Sequence, residues 1–297
     1  METEKWSYLV GGVFGCLLDK GADWATRSVI EAKQWKNNCF ITLTYNNENI
    51  PKVKGTNKLT LKKRDLQLFF KRLRKHHKGI ESRIWKEEFE YPIRYFACGE
   101  YGTQTKRPHY HIGIFNWIPD DLKPLTENKY GDILFTSKEI SKLWENKGFV
   151  TVGAMTYESA SYIARYTLKK IHENKEIYKD TGQEKEFVET SRRGGIGING
   201  FTNEKEFEKI KNNMCVITKN KQGIKFKKIP QFIKNKWKEQ DRLEYFEKTD
   251  KEREKTEKAI KEKMAKSDME IDEYIRKQKQ ILVAKIHNAK TKSRKAV

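Results

Sequence analysis

"RPHYHIGIF", Arg107–Phe115, decides how this chain is read. Its apolar positions and short length read as a β-strand. Successive strand side chains point to opposite faces, so His109 and His111 project from one face and Tyr110 from the other. Two imidazoles side by side either bind a metal ion or sit as polar residues on a solvated strand, and the surrounding sequence has to decide. Upstream, "IRYFACGE", residues 93–100, reads as another strand, and "YGTQTKRP" as the loop that joins the two into a hairpin. Glu100 ends the first of these strands, nine residues before His109. In a hairpin a residue there comes near the mouth of the following strand. Two imidazoles and one carboxylate, with positions left open, would bind Mn²⁺ or Mg²⁺ and hold a phosphate oxygen.

Working outward, "CFITLTY", residues 39–45, and "FVTVGAM", residues 149–155, read as further strands. Residues 23–36 read as a helix. "TLKKRDLQLFFKRLRKHHK", residues 60–78, reads as an amphipathic helix with Thr60 as its N-cap and Leu66, Phe69, Phe70 and Leu73 on its apolar side. Residues 138–148 read as a short helix that Gly148 stops. Residues 157–173, "YESASYIARYTLKKIHE", form the helix that matters most. Tyr162 and Tyr166 lie one turn apart on one face, with Arg165 three residues after the first and Lys169 three after the second.

A tyrosine hydroxyl is a weak nucleophile at neutral pH, because its ordinary pKa is near 10. A neighbouring cation favours the phenolate or stabilises developing charge, and a metal can polarise the phosphate under attack. A tyrosine pair at helical spacing is, taken alone, more often packing than catalysis. Combined with the strand histidines, Glu100 and a strongly basic chain, it reads as the nucleophile of a phosphodiester-cleaving enzyme.

The 297 residues carry 62 Lys and Arg against 41 Asp and Glu, a formal net charge of +21, which favours a polyanionic partner. No apolar run reaches the roughly 18 residues of a membrane span. "LVGGVFGCLL", residues 9–18, reads as a buried apolar segment and not as a secretion signal, because acids precede it and no small-residue cleavage site follows. The scattered Cys16, Cys39, Cys98 and Cys215 signal neither disulfides nor a thiolate zinc site, and suit an intracellular protein. "SRRGGIGING", residues 191–200, lacks P-loop spacing but could meet a DNA phosphate through its backbone amides and Arg192 or Arg193. Beyond residue 232 the chain is dominated by charge, and reads as one or two long helices with a thin apolar stripe from Ile260 to Leu282.

"PHYHIGIF" resembles the two-histidine motif of the HUH endonucleases, and "YIARYTLKK" the twin-tyrosine motif of rolling-circle replication initiators. The order of these motifs across residues 23–235, with "CFITLTY" first and "SRRGGIG" last, is similar to that of the initiators of gokushoviruses, single-stranded DNA phages of the Microviridae. The resemblance implies an α+β fold, a central antiparallel sheet flanked by helices, here followed by a charged helical C-terminal extension. It implies His109, His111 and Glu100 as ligands of a divalent metal, Tyr162 and Tyr166 as alternating nucleophiles, and Lys169 as the catalytic lysine. Arg165 stands where the family has a lysine between the tyrosines. The expected reaction is a site- and strand-specific nick at the phage origin through a 5′-phosphotyrosine, followed by rejoining of the displaced strand.

Arg107, Arg165, Lys170, Arg192 and Arg193 are expected to meet the DNA. The expected domains are an N-terminal segment (1–22), the catalytic domain (23–175), a basic glycine-containing accessory region (176–232) and a charged helical tail (233–297). Expected partners are single-stranded or supercoiled origin DNA and a host helicase and DNA polymerase, in the host cytoplasm, with no membrane. Two alternatives stand beside this reading: a non-catalytic nucleic-acid-binding protein, and a metal-dependent nuclease that activates water.

Overall fold

The computed structural model describes residues 19–77, 93–102, 104–128, 131–164, 178, 181–192, 194–220, 223–265 and five positions between 273 and 281. The chain divides into two compact units, with the boundary between Ile233 and Lys234. The first holds a helix over 19–32 (α1), β1 (Asn38–Thr44), α2 (Lys63–His76), β2 (Arg94–Tyr101), β3 (Pro108–Phe115), β4 (Lys123–Glu127), β5 (Ile133–Thr136), α3 (Lys138–Leu143), β6 (Val150–Ala154), a helical stretch over 157–164 (α4), β7 (Phe187–Thr190), α5 (Asn199–Thr202), α6 (Glu204–Asn213), β8 (Val216–Asn220) and β9 (Gly223–Lys227). In the second, past the boundary helix α7 (Gln231–Gln240), α8 (Arg242–Ala265) is a 24-residue charged helix, with buried Trp237 edge-on to Tyr245 beside it.

Seven strands form one antiparallel sheet in the order β4-β5-β6-β1-β3-β2-β7, which puts the histidine strand between β1 and β2. The fold is therefore the α+β class, with helices flanking an antiparallel sheet. Strand alternation gives the sheet two different faces. One carries Cys39, Ile41, Leu43, Ala97, Tyr110, Ile112 and Ile114, packed under Leu66, Phe69, Phe70 and Leu73 of α2 and Ile140 and Leu143 of α3. The other carries Phe96, Cys98 and Phe115, which meet Ile163 and Ala164 of α4, and Trp24 of α1 stacks on Phe96 at 5.0 Å. His109, His111 and Glu100 belong to this second face. Cys39 and Cys98 are fully buried free thiols, as their apolar strands predict.

Tyr110 sits between the two histidines but points into the α2 face, where it is 0% exposed. Its hydroxyl accepts from the Lys62 amide at 3.0 Å and lies 2.9 Å from the Tyr45 hydroxyl, which itself donates to Asp65. Burial pushes both phenols up from their ordinary pKa and keeps them neutral.

Several local expectations are corrected. α2 starts at Lys63, and Thr60 does not cap it. The Thr60 amide donates to Pro51 and its neighbour Leu59 bridges Lys52, so Thr60 is still in extended chain. The first turn is held instead by Glu184, whose carboxylate accepts from the Lys63 amide at 2.7 Å. α3 ends at Leu143, five residues before Gly148. Gly148 is glycine because a Cβ there would lie 2.3 Å from the Thr44 carbonyl oxygen. The sheet also draws a strand from beyond residue 175, since β7 pairs with β2. β4, β5, β7, β8 and β9 were not foreseen. The apolar run 9–18 and the helix beyond 164 lie outside the described residues.

Replacing Tyr110 with Phe leaves the Lys62 amide and the Tyr45 hydroxyl with a lost partner inside the core. Urea unfolding should show a loss of about 1–3 kcal/mol, with metal binding on the opposite face retained. An unchanged midpoint would remove Tyr110 from any structural role at the start of α2.

Candidate metal and tyrosine site

The register of the β2–β3 hairpin sets Glu100 directly opposite His109 and Cys98 opposite His111. On the other side of β3, Thr42 of β1 is opposite His111. Glu100 Oε1 lies 3.0 Å from His109 Nε2 and 3.2 Å from His111 Nε2, and the ligand atoms of all three residues fall within 4.8 Å of one another. Glu100 is 2% exposed.

The remaining ring nitrogens fix the orientation. His109 Nδ1 is 3.1 Å from the Arg107 carbonyl, which can only accept, so Nδ1 carries a proton. A neutral His109 then turns its Nε2 lone pair toward a carboxylate oxygen. Two acceptors at 3.0 Å need a cation between them, either a proton or a metal ion. His111 Nδ1 pairs with the Thr42 hydroxyl at 2.9 Å, and Phe40 stacks against its ring at 5.7 Å. A buried carboxylate costs several kcal/mol unless it is compensated, so this group is built around positive charge. Ligand atoms at the ~2.1 Å distances of an octahedral Mg²⁺ or similar ion sit about 3 Å apart along each edge, which the Glu100–His109 and Glu100–His111 spacings match. The donor set therefore fits a divalent cation.

Tyr162 comes to the same oxygen from above the sheet. α4 starts with a reciprocal cap, in which the Ser159 amide donates to Thr156 Oγ1 and the Thr156 amide to Ser159 Oγ. Ala160, Ile163 and Ala164 bury the underside of the helix. That leaves Tyr162 39% exposed, with its ring edge on His111 at 4.9 Å and its hydroxyl donating to Glu100 Oε1 at 3.3 Å. A packing tyrosine in this fold looks like Tyr110, with no exposure. Tyr162 instead offers its oxygen at the open side of the carboxylate–imidazole group.

The structure thus brings Glu100, His109, His111 and Tyr162 together. Arg107 lies at the same edge, where its guanidinium donates to Asn47 Oδ1 and to the Tyr45 carbonyl and so braces the end of β1. Arg192 is exposed in the glycine-rich loop. The backbone amides of that loop do not form an anion cradle, because those of Gly195, Gly197, Ile198 and Gly200 donate to Arg192, Glu31, Gly195 and Gly197. Tyr166, Arg165, Lys169, Lys170 and Arg193 lie outside the described residues. Thr42 was missed from the sequence. Its signal was available in "FITLT", where threonine recurs every second residue on a strand that is otherwise apolar.

A family model of the replication-associated protein ORF2 type matches residues 38–171, from the first residue of β1 through α4. The replication-associated protein ORF2 of Spiroplasma virus 4 is 35% identical over 236 residues, which cover 78% of this chain and 69% of that protein. This chain belongs to the phage replication-associated protein family. A second relative, the replication-associated protein VP4 of Bdellovibrio phage phiMH2K, is 38% identical over 157 residues, 52% of this chain and 46% of its own length. The replication-associated protein ORF4 of Chlamydia phage 1 is 31% identical over 159 residues, 52% of this chain and 36% of its own length. The match thus spans less than half of the latter two relatives. No solved structure matches the chain. Among the described residues, no helix is long and apolar enough to cross a membrane.

Mn²⁺ or Mg²⁺ in hundredfold excess over its Kd should raise the wild-type melting temperature by about 5–10 °C, and should leave the His109→Ala/His111→Ala double variant unmoved. Thr42→Val should weaken metal binding about 10- to 100-fold by releasing His111. Equal titrations of Thr42→Val and wild type would show that Thr42 does not orient the ring.

Proposed function

We propose that the protein starts phage DNA replication by nicking one strand of the origin, with Tyr162 as a nucleophile. The observation that carries this reading is the shared oxygen: the exposed Tyr162 hydroxyl and both imidazoles converge on Glu100 Oε1. A phenol against a cation-demanding carboxylate–imidazole group suits attack on a phosphodiester better than it suits packing.

In the proposed step, Glu100, His109 and His111 would hold a divalent cation, Mg²⁺ or Mn²⁺. When bound, that ion supplies Lewis-acid polarisation of a phosphate oxygen and neutralises charge that builds up there. The chain's own residues do the rest. Glu100 orients the Tyr162 oxygen through its hydrogen bond, and the ring contact with His111 limits rotation. The tyrosine oxygen bonds to phosphorus as it loses its proton, and the bond from phosphorus to the 3′-oxygen breaks. That oxygen takes up a proton and leaves as a 3′-hydroxyl that can prime synthesis, while the 5′-phosphate stays on the tyrosine as an ester. The ester conserves the bond energy, so a later 3′-hydroxyl can reverse the step.

Tyr166, one turn further on by sequence, would cut the regenerated origin and allow the first strand to close into a circle. Lys169 and Arg165 would stabilise the phenolates, and Arg107, Lys170, Arg192 and Arg193 would hold the phosphate backbone. Under this proposal, residues 23–175 carry the chemistry with help from the 176–232 region. Residues 1–22 and 233–297 lie outside the catalytic domain. A host helicase and DNA polymerase in the host cytoplasm would extend the primer.

The test is a denaturing gel of protein mixed with single-stranded origin DNA and Mn²⁺, for wild type, Tyr162→Phe, Tyr166→Phe and the double variant. A heat-stable, metal-dependent DNA adduct that vanishes in the double variant is expected. Cleavage without an adduct would replace tyrosine attack by attack of water. DNA binding with neither cleavage nor adduct would leave a non-catalytic binding protein.

A further inference from the structure

The β8–β9 ribbon shows an arrangement that neither packing nor the tyrosine site explains. Its register sets Ile217 opposite Phe226 and Lys219 opposite Ile224, so these four side chains share one face. That face looks outward. Phe226 is 69% exposed, Ile224 62% and Ile217 38%. The other face anchors the ribbon: Val216 is fully buried and Thr218 nearly so. Lys33, just past α1, donates to the Ile217 carbonyl at 3.1 Å and to Glu206 of α6 at 2.9 Å. The ribbon is therefore fixed to the body of the first unit while three large apolar side chains face water.

Its charge is one-sided as well. Residues 216–228 contain five lysines and no acid. Lys219 stands on the apolar face, and Lys225 is exposed on the same short strand as Phe226. A purely electrostatic surface has no use for exposed Phe226 and Ile224, and a protein-docking surface has little use for unrelieved positive charge. A ligand with flat apolar faces joined by negative links satisfies both features, and unpaired nucleic acid is such a ligand, because its base faces are open. In a duplex those faces are hidden within the stack.

The ribbon also lies next to the proposed chemistry. The Lys227 ammonium sits 3.7 Å over the ring of Tyr157, in the first turn of α4. Tyr162 follows on the same helix, roughly 7.5 Å further along its axis. That distance is about two nucleotides of a stacked strand.

We propose that the β8–β9 ribbon is a stacking platform for unpaired DNA that holds the strand beside Tyr162, with bases on Phe226 and Ile224 and phosphates on Lys219, Lys225 and Lys227. This extends the nicking reading by making its substrate single-stranded at the point of cleavage, and rests on that reading for its purpose.

The test uses the full chain in EDTA, so that binding is read without cleavage. Fluorescence anisotropy is followed with a short single-stranded oligonucleotide of mixed sequence and with its duplex. Phe226→Ala should weaken single-strand binding roughly five- to hundredfold, with less than a twofold change for the duplex. Phe226→Trp should restore it, and thermal melting should show both variants folded. Unchanged single-strand affinity in Phe226→Ala would overturn the proposal, as would equal losses on both DNA forms. So would loss of binding to phosphatidylserine–phosphatidylcholine vesicles with single-strand affinity intact, which would make the ribbon a membrane contact. The nicking reading fails separately, on absence of a covalent adduct with Mn²⁺ in the wild type, and that result leaves the binding comparison readable.

Discussion

The pairing of β2 with β3 is the constraint on which the rest of the site depends. In this register Glu100 faces His109 across the sheet. A slip of one residue would turn Glu100 into the apolar layer beneath α2 and carry its neighbours to the histidine face. Gly99 holds the register, because a Cβ at that place would lie 2.8 Å from the Phe187 ring. Any slipped register would put a side chain there. Tyr101 adds a second pin, since its hydroxyl accepts from the Leu61 amide and donates to the Glu184 carbonyl. The same Glu184 holds the first turn of α2. The carboxylate of the site and the helix on the far face of the sheet are thus located by one set of contacts.

Two tyrosines near the histidines show how environment assigns a role to one residue type. Tyr110 is enclosed, hydrogen-bonded to groups that favour its neutral form, and held there by burial. Tyr162 lies on a helix whose other side is anchored by Ala160, Ile163 and Ala164, and is left open to an incoming group. The sheet separates them, so the chemistry of one face does not disturb the packing of the other.

The site was legible in the sequence where its logic is local. A period of two placed both histidines on one face, a hairpin brought Glu100 to them, and a period of 3.6 put Tyr162 on a helix of its own. What was not legible depends on distant chain. β7 is a four-residue strand whose partner lies some ninety residues earlier, and nothing within "FVET" names it. β4 carries a proline and is exposed throughout, so no apolar alternation marks it. In β8 and β9 the alternation is present but turned outward, so a search for buried faces passes over it. Thr60 looked like a cap because the true one, Glu184, is over a hundred residues away.

The two imidazoles differ in what holds them. His109 is steered by the carbonyl of Arg107, a main-chain atom that no side-chain substitution removes and that admits one tautomer only. His111 is steered by the hydroxyl of Thr42, which can rotate and can either give or take a hydrogen. One ring is therefore hard-wired and the other is on a swivel. Evolution can retune the site through position 42 alone, trading threonine for serine or valine to alter the basicity and freedom of His111, while His109 keeps the carboxylate side of the site in place.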